Sequence, residues 1–105
     1  EEKIIVDPGI GFNRFREVPW YVWDSSVLAE LDELRRLGRP ILVGVSRKSF
    51  IGEITGRRDP AERLYGSLAA VAIAVYNGAH VIRTHDPAET LDAVKVASYI
   101  RRFRS

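Results

Sequence analysis

The chain has 105 residues, 46% of them apolar and 29% charged, an ordinary globular composition that points to a single unit over residues 1–105 and excludes a disordered tail. Cysteine is absent, which rules out disulfides and thiolate metal sites, and two histidines are too few for a histidine-rich cage. The net charge of +2 comes from acids and bases mixed along the chain, as in Glu30-Leu31-Asp32-Glu33-Leu34-Arg35-Arg36, which reads as a solvated helix face and argues against nucleic acid as a partner.

The first predicted strand, about residues 3–7, is apolar at consecutive positions, as in a parallel sheet covered on both faces. Asp7-Pro8-Gly9-Ile10-Gly11 then forms a loop, because Pro8 has no N–H and the glycines weaken regular continuation. Residues 13–23 are rich in aromatics. Trp20, Tyr21 and Trp23 fit either a hydrophobic flap facing a partner or packing against the exterior of the fold, the commoner fate of large aromatics. Asp24-Ser25-Ser26 offers N-cap residues for a helix in which Val27, Leu28, Leu31 and Leu34 recur at helical spacing until Gly38.

The second strand, Ile41-Leu42-Val43-Gly44-Val45, runs straight into Ser46-Arg47-Lys48-Ser49-Phe50. Such a switch from apolar to charged residues at a strand's carboxyl end is where parallel α/β folds keep their chemistry. A short helix through about Ile54 follows, with Ser49 helping to cap it and Gly56 closing it. Asp59-Pro60 opens the next helix. Its stripe is Leu64, Leu68, Val71, Ala72 and Val75, with Gly66, Ser67, Ala69 and Ala70 allowing close approach to the sheet. Asn77-Gly78 ends it. The third strand, about residues 80–84, leads through Asp86-Pro87 into a last helix to about Phe103, with Leu91, Val94, Ala97 and Ile100 facing inward.

The order strand, helix, strand, helix, strand, helix predicts an α/β fold of three parallel βα units with crossover helices. Three motifs, Asp7-Pro8-Gly9-Ile10-Gly11-Phe12, Gly44-Val45-Ser46-Arg47-Lys48-Ser49-Phe50-Ile51-Gly52 and Arg83-Thr84-His85-Asp86, closely resemble those of dihydropteroate synthase, in order and in spacing. Asn13-Arg14 and the aromatic run after them depart from the family, which usually continues with a Gly-Lys pair and a helix. The resemblance implies the C-terminal portion of a TIM (β/α)8 barrel, its sixth to eighth strand-helix units. A whole barrel takes about 250 residues. The chain is therefore expected to be a fragment, or a subunit needing a complementary N-terminal barrel portion or self-association through open sheet edges.

The resemblance also assigns roles. Asp7 would recognise the amidine-like N–H pair of a pterin; without the resemblance, Asp-Pro-Gly is more often a plain turn. Lys48 would donate to the ring carbonyl and a ring nitrogen. Arg83 would stack on the pterin and, with His85 on the same side, hold the leaving pyrophosphate. Ser46 and the start of the next helix would receive the p-aminobenzoate carboxylate, with Phe12 covering its ring. Arg47 would contribute positive field or brace the loop, and a merely structural salt bridge stands level with those roles. Taken singly, a Lys or Arg past a strand is more often solvated, and His85 could cap the following helix.

The implied reaction is condensation of 6-hydroxymethyl-7,8-dihydropterin pyrophosphate with p-aminobenzoate, giving 7,8-dihydropteroate and pyrophosphate for folate synthesis. Lys48, Arg83 and His85 are the candidate catalytic groups. The family uses Mg2+, with ligands outside this chain, and is expected to pair as a homodimer when complete. No apolar run approaches the roughly 20 residues that span a bilayer, and Glu1-Glu2-Lys3 is no signal-peptide core; the expected location is cytoplasmic, with no membrane partner. The competing readings are a pterin-binding methyltransferase domain, which needs no pyrophosphate cradle, and a noncatalytic assembly subunit of the same fold.

Overall fold

A computed structural model describes residues 20–33, 38 and 40–104. The predicted first strand, Asp7, Phe12 and the start of the aromatic segment lie outside the described residues. The elements are α1 (Trp20–Ala29), β1 (Leu42–Val43), α2 (Ser49–Thr55), a 3-10 turn (Pro60–Glu62), α3 (Leu64–Tyr76), β2 (Val81–Ile82) and α4 (Pro87–Arg101).

α1 begins four residues before the predicted cap. Ser25 Oγ donates to Tyr21 O at 2.8 Å, so its hydroxyl serves the preceding turn of the same helix, and Asp24 is fully buried instead of standing ahead of the first turn. Leu28 and Leu31 face the core as their spacing predicts. The carbonyls that a helix leaves unpaired at its C-terminus are met from a distance: Asn77 Nδ2, just beyond α3, donates to Leu28 O at 2.8 Å and Ala29 O at 3.2 Å. Asn77→Ala is expected to lower stability by about 1 kcal/mol, the net worth of such bonds, in urea unfolding.

The two strands pair in parallel, Leu42 opposite Val81 and Val43 opposite Ile82. Ile41 O accepts from His80 N at 2.8 Å and from Val81 N at 3.0 Å, Arg83 N donates to Val43 O at 3.0 Å, and His80 Nδ1 accepts from Ile41 N at 3.0 Å. The chain thus needs only short ladders to hold the register. Alternation sorts the side chains. Ile41, Val43 and Val45 are wholly buried against Leu28, Leu31, Phe50, Ile51, Val71, Ala74 and Val75, while Leu42 is half-buried. Gly44 and Ser46 share the alternate face with Leu42.

α2 starts at Ser49, later than predicted, because a turn intervenes in which Lys48 N donates to Val45 O at 3.1 Å. Ser49 does not cap it. The N-cap is Lys48, with no side-chain bond to the helix. Gly56, at φ 78°, closes α2 as expected, its N–H donating to Gly52 O. Asp59 caps as predicted, accepting from Ala61 N at 3.0 Å, though the element it opens is the 3-10 turn and α3 begins only at Leu64.

α3 is rotated from the predicted stripe. Ser67, Ala70, Val71, Ala74 and Val75 are buried, whereas Leu64, Leu68 and Ala72 are half-exposed. The cause is close approach along its small residues: a Cβ at Gly66 would stand 2.5 Å from Ile51 Cγ2 of α2. α4 differs likewise. Thr90 and Ala97 are buried, with Ala93 and Val94 packed beside the core, while Leu91 and Ile100 point outward at 51% and 53% exposure. Thr90 Oγ1 lies 2.8 Å from Thr84 Oγ1, and that polar link turns the Thr90 edge of the helix inward. The basic run Arg101-Arg102-Phe103-Arg104 at the end of α4 has an internal use. Arg101 and Arg104 both donate to Tyr76 O at the end of α3, and Arg104 pairs with Asp32 at 2.7 Å.

Candidate functional site

The site begins where β1 and β2 end side by side. On the face opposite the core, the residues of β2 that alternate outward, Val81, Arg83 and His85, are all exposed. Arg83 lies against Gly44: a Cβ there would meet Nη2 at 3.0 Å, Nε at 3.2 Å and Cζ at 3.4 Å, so the absent side chain is what seats the guanidinium. One rung further, His85 meets Ser46. The Ser46 hydroxyl, 5% exposed, accepts from His85 N at 3.2 Å and lies 3.0 Å from His85 Nδ1. With the hydroxyl proton given to Nδ1, the proton of a neutral ring sits on Nε2, facing away from the serine.

Arg47 carries a positive φ of 56°, the only non-glycine among the described residues to do so. It occupies the third position of the Val45–Lys48 turn, which type II geometry reserves for glycine. Three separate groups hold it there. Its N–H donates to Ser67 Oγ at 2.8 Å, its carbonyl accepts from Arg63 Nη1 at 3.0 Å, and its guanidinium forks onto Asp86, Nη2 to Oδ1 at 2.7 Å and Nε to Oδ2 at 3.3 Å. The hydrogen bonds that Arg47 donates to Asp86, aided by the carboxylate's charge and outweighing the opposing pull of burial, hold the Arg47 pKa above its ordinary value. Arg47 stays a cation. The structural salt bridge expected as the alternative is present, from Arg47 to Asp86.

Lys48, half-buried, closes that turn directly after Arg47. Ser46, Arg47, Lys48, Arg83 and His85 therefore cluster at the carboxyl ends of two adjacent strands. Asp7 and Phe12 lie outside the described residues. Sequence reasoning missed Gly44 as a seat, Ser67 and Arg63 as holders of Arg47, and Asp86 as anything but a helix cap. Asp86 makes no side-chain bond to α4; its carboxylate goes to Arg47 and its N–H to Thr84 Oγ1 at 3.0 Å. Only Gly44 left a signal, as a glycine inside an otherwise aliphatic strand, which often marks close approach of another group.

A methyl group at Gly44 would need the guanidinium to give by a few tenths of an ångström. Gly44→Ala is thus expected to keep the fold, with a change below about 1 kcal/mol in urea unfolding, and to displace the Arg83 guanidinium in a crystal structure of the variant.

A family model described as pterin binding enzyme matches residues 1–85. The chain belongs to that family. The chain is 45% identical to the dihydropteroate synthase of Synechocystis over 101 residues, 96% of this chain and 33% of that protein. It is also 45% identical to the Escherichia coli synthase over 91% of this chain and 32% of the relative. Among solved structures, the Coxiella burnetii dihydropteroate synthase in complex with pteroic acid superposes with a TM-score of 0.88 at 40% identity, covering 97% of this chain and 36% of that one. A Xanthomonas albilineans synthase with 4-aminobenzoic acid does so at 0.82 and 41%, covering 92% and 34%. The chain thus spans about a third of the length of these relatives. Its fold, two parallel strands with their helices among the described residues, is a part of their barrel, as the motifs imply.

Proposed function

We propose that this chain supplies the sixth to eighth strand-helix units of a dihydropteroate synthase, which joins 6-hydroxymethyl-7,8-dihydropterin pyrophosphate to p-aminobenzoate. The observation that carries the reading is the pair of adjacent rungs, Arg83 on Gly44 and His85 on Ser46, at one sheet edge. A guanidinium fork beside an N–H of imidazole is suited to a phosphoanhydride leaving group. The pteroic acid and 4-aminobenzoic acid complexes of similar structures support the substrate pair.

In this reading the C–O bond between the pterin methyl carbon and pyrophosphate breaks first, its electron pair leaving with the anion. The electron-rich dihydropterin carries the positive charge. The amine lone pair of p-aminobenzoate then forms the C–N bond, and its surplus proton goes to pyrophosphate or solvent. Arg83 neutralises the departing anion and His85 hydrogen-bonds to it, Lys48 and Asp7 orient the pterin, and Ser46 and Phe12 attend the aromatic acid. Arg47 acts through the loop it braces. Such catalysis rests on fixed charge and alignment.

Mg2+, which the family implies, would help neutralise pyrophosphate. In this reading its protein ligands belong to barrel strands outside this chain. No helix among the described residues is long and apolar enough to cross a membrane, and a cytoplasmic location fits. The uncovered Leu91, Val96, Tyr99, Ile100 and Phe103 of the α4 region support self-association.

The test is formation of dihydropteroate from the two substrates, by this chain alone and by the full-length gene product. Turnover by the full-length product and none by the chain alone is expected. Activity of the chain alone would contradict dependence on a complement, and an inactive full-length enzyme that binds neither pterin nor pyrophosphate would contradict the reading.

A further inference from the structure

We infer that Ser67, Arg63 and Asp86 are positioning residues that together hold Arg47 in its left-handed conformation, and so set where Ser46 and Lys48 meet the ligand. The inference rests on the proposed pterin and anion site and adds to it three residues that touch no substrate.

An arginine gains nothing intrinsic from positive φ; its Cβ crowds the following carbonyl, and glycine would do better at that position. Residues kept in such conformations persist where the surroundings over-determine them. Here the N–H, the carbonyl and the guanidinium of Arg47 are each held by a different part of the chain. Ser67 reaches the N–H from the first turns of α3 and is 3% exposed, so the bond is shielded from water. Arg63 reaches the carbonyl with Nη1 while its Nε and Nη2 donate to Arg57 O at 2.8 Å and Arg58 O at 2.7 Å, three carbonyls gathered by one guanidinium. Asp86 reaches the side chain from the loop between β2 and α4.

Room for the Arg63 fork is made at Gly52, where a Cβ would stand 2.5 Å from Nη2 and 2.7 Å from Arg57 O. The consequence lies on either side of Arg47. Ser46 makes the His85 contact and Lys48 follows directly, so a peptide flip at Arg47 would move both. The Asp86 link also ties the loop after β1 to the loop after β2, which carries Arg83 and His85 in its approach. The two strand ends are therefore set relative to each other by a charge pair and not by the two-residue ladders alone.

The test is a double-substitution cycle in the full-length protein, with inorganic pyrophosphate and 6-hydroxymethylpterin as calorimetric probes and urea unfolding measured in parallel. Ser67→Ala is expected to weaken pterin binding about tenfold, as loss of a shielded hydrogen bond would, and Ser67→Thr to restore it to within about twofold by returning the acceptor. In an Arg47→Gly background the same Ser67→Ala change should cost less than about twofold, because glycine keeps positive φ without a clamp. Equal losses in both backgrounds, or wild-type binding by Ser67→Ala, would overturn the inference.

If Ser67→Ala fails to fold, Asp86→Asn against Arg47→Gly runs the same cycle with the same two outcomes. Should the unsubstituted protein bind neither probe, the functional reading fails. The brace is then still decided by unfolding: coupling between Ser67→Ala and Arg47→Gly upholds it, and strict additivity rejects it.

Discussion

Arg83→Met is expected to lower kcat/KM by on the order of 100 to 1000 fold, the size seen when one preorganised donor to developing negative charge is removed. The backbone of Arg83 is anchored by its N–H to Val43 O at 3.0 Å, so the substitution takes away the guanidinium and little else. Methionine keeps the length and the apolar stem. The loss should fall mainly on the step in which pyrophosphate departs, and product inhibition by pyrophosphate should fall with it. Arg83→Lys retains a charge but not a fork, and is expected to recover only part of the rate. Steady-state kinetics with both substrates varied would show it. A change confined to the KM for p-aminobenzoate would place Arg83 away from the anion.

Ile41→Ala is the substitution with the largest expected cost to the fold, about 2 to 5 kcal/mol in urea unfolding. Ile41 is wholly buried at the start of the strand pair, and its carbonyl accepts two bonds from the opposing chain. The cavity would open beneath the register-setting contacts. Leu42→Ala, one residue along and half-buried, should cost clearly less. A reversed order would mean that the strand presents its other face to the helices, and with it that Gly44 and Ser46 lie in the core and not at the site.

The element order was legible because its punctuation is chemical. Gly56 sits in the left-handed region that ends α2, Asp59 caps as its side chain allows, and Asn77-Gly78 stops α3. Boundaries and faces were less so. Ser25 is a good cap in general but here bonds back to Tyr21 inside a helix that the aromatics had already begun. Of the four residues expected on the inward face of α4, Val94 and Ala97 do turn to the core, whereas Leu91 and Ile100 do not, because a threonine pair and small residues decide the rotation.

The candidate site divides in the same way. Its motifs stand out as apolar runs that end in charge, and they led to the family now matched over residues 1–85. The pairing of Arg47 with Asp86 spans 39 positions, and nothing in either residue's neighbourhood announces the other. Nor does an arginine announce a positive φ. Such a backbone state is set by tertiary contacts from α3 and from the loop after β2, which local sequence does not encode.

The account stands on one claim, that the ends of β1 and β2 form a single anion seat. A crystal of the full-length protein soaked in pyrophosphate tests it most directly. The account predicts pyrophosphate oxygens within hydrogen-bonding distance of the Arg83 guanidinium and the His85 ring together. Ordered pyrophosphate bound elsewhere, with the Gly44 and Ser46 rungs empty, would contradict it.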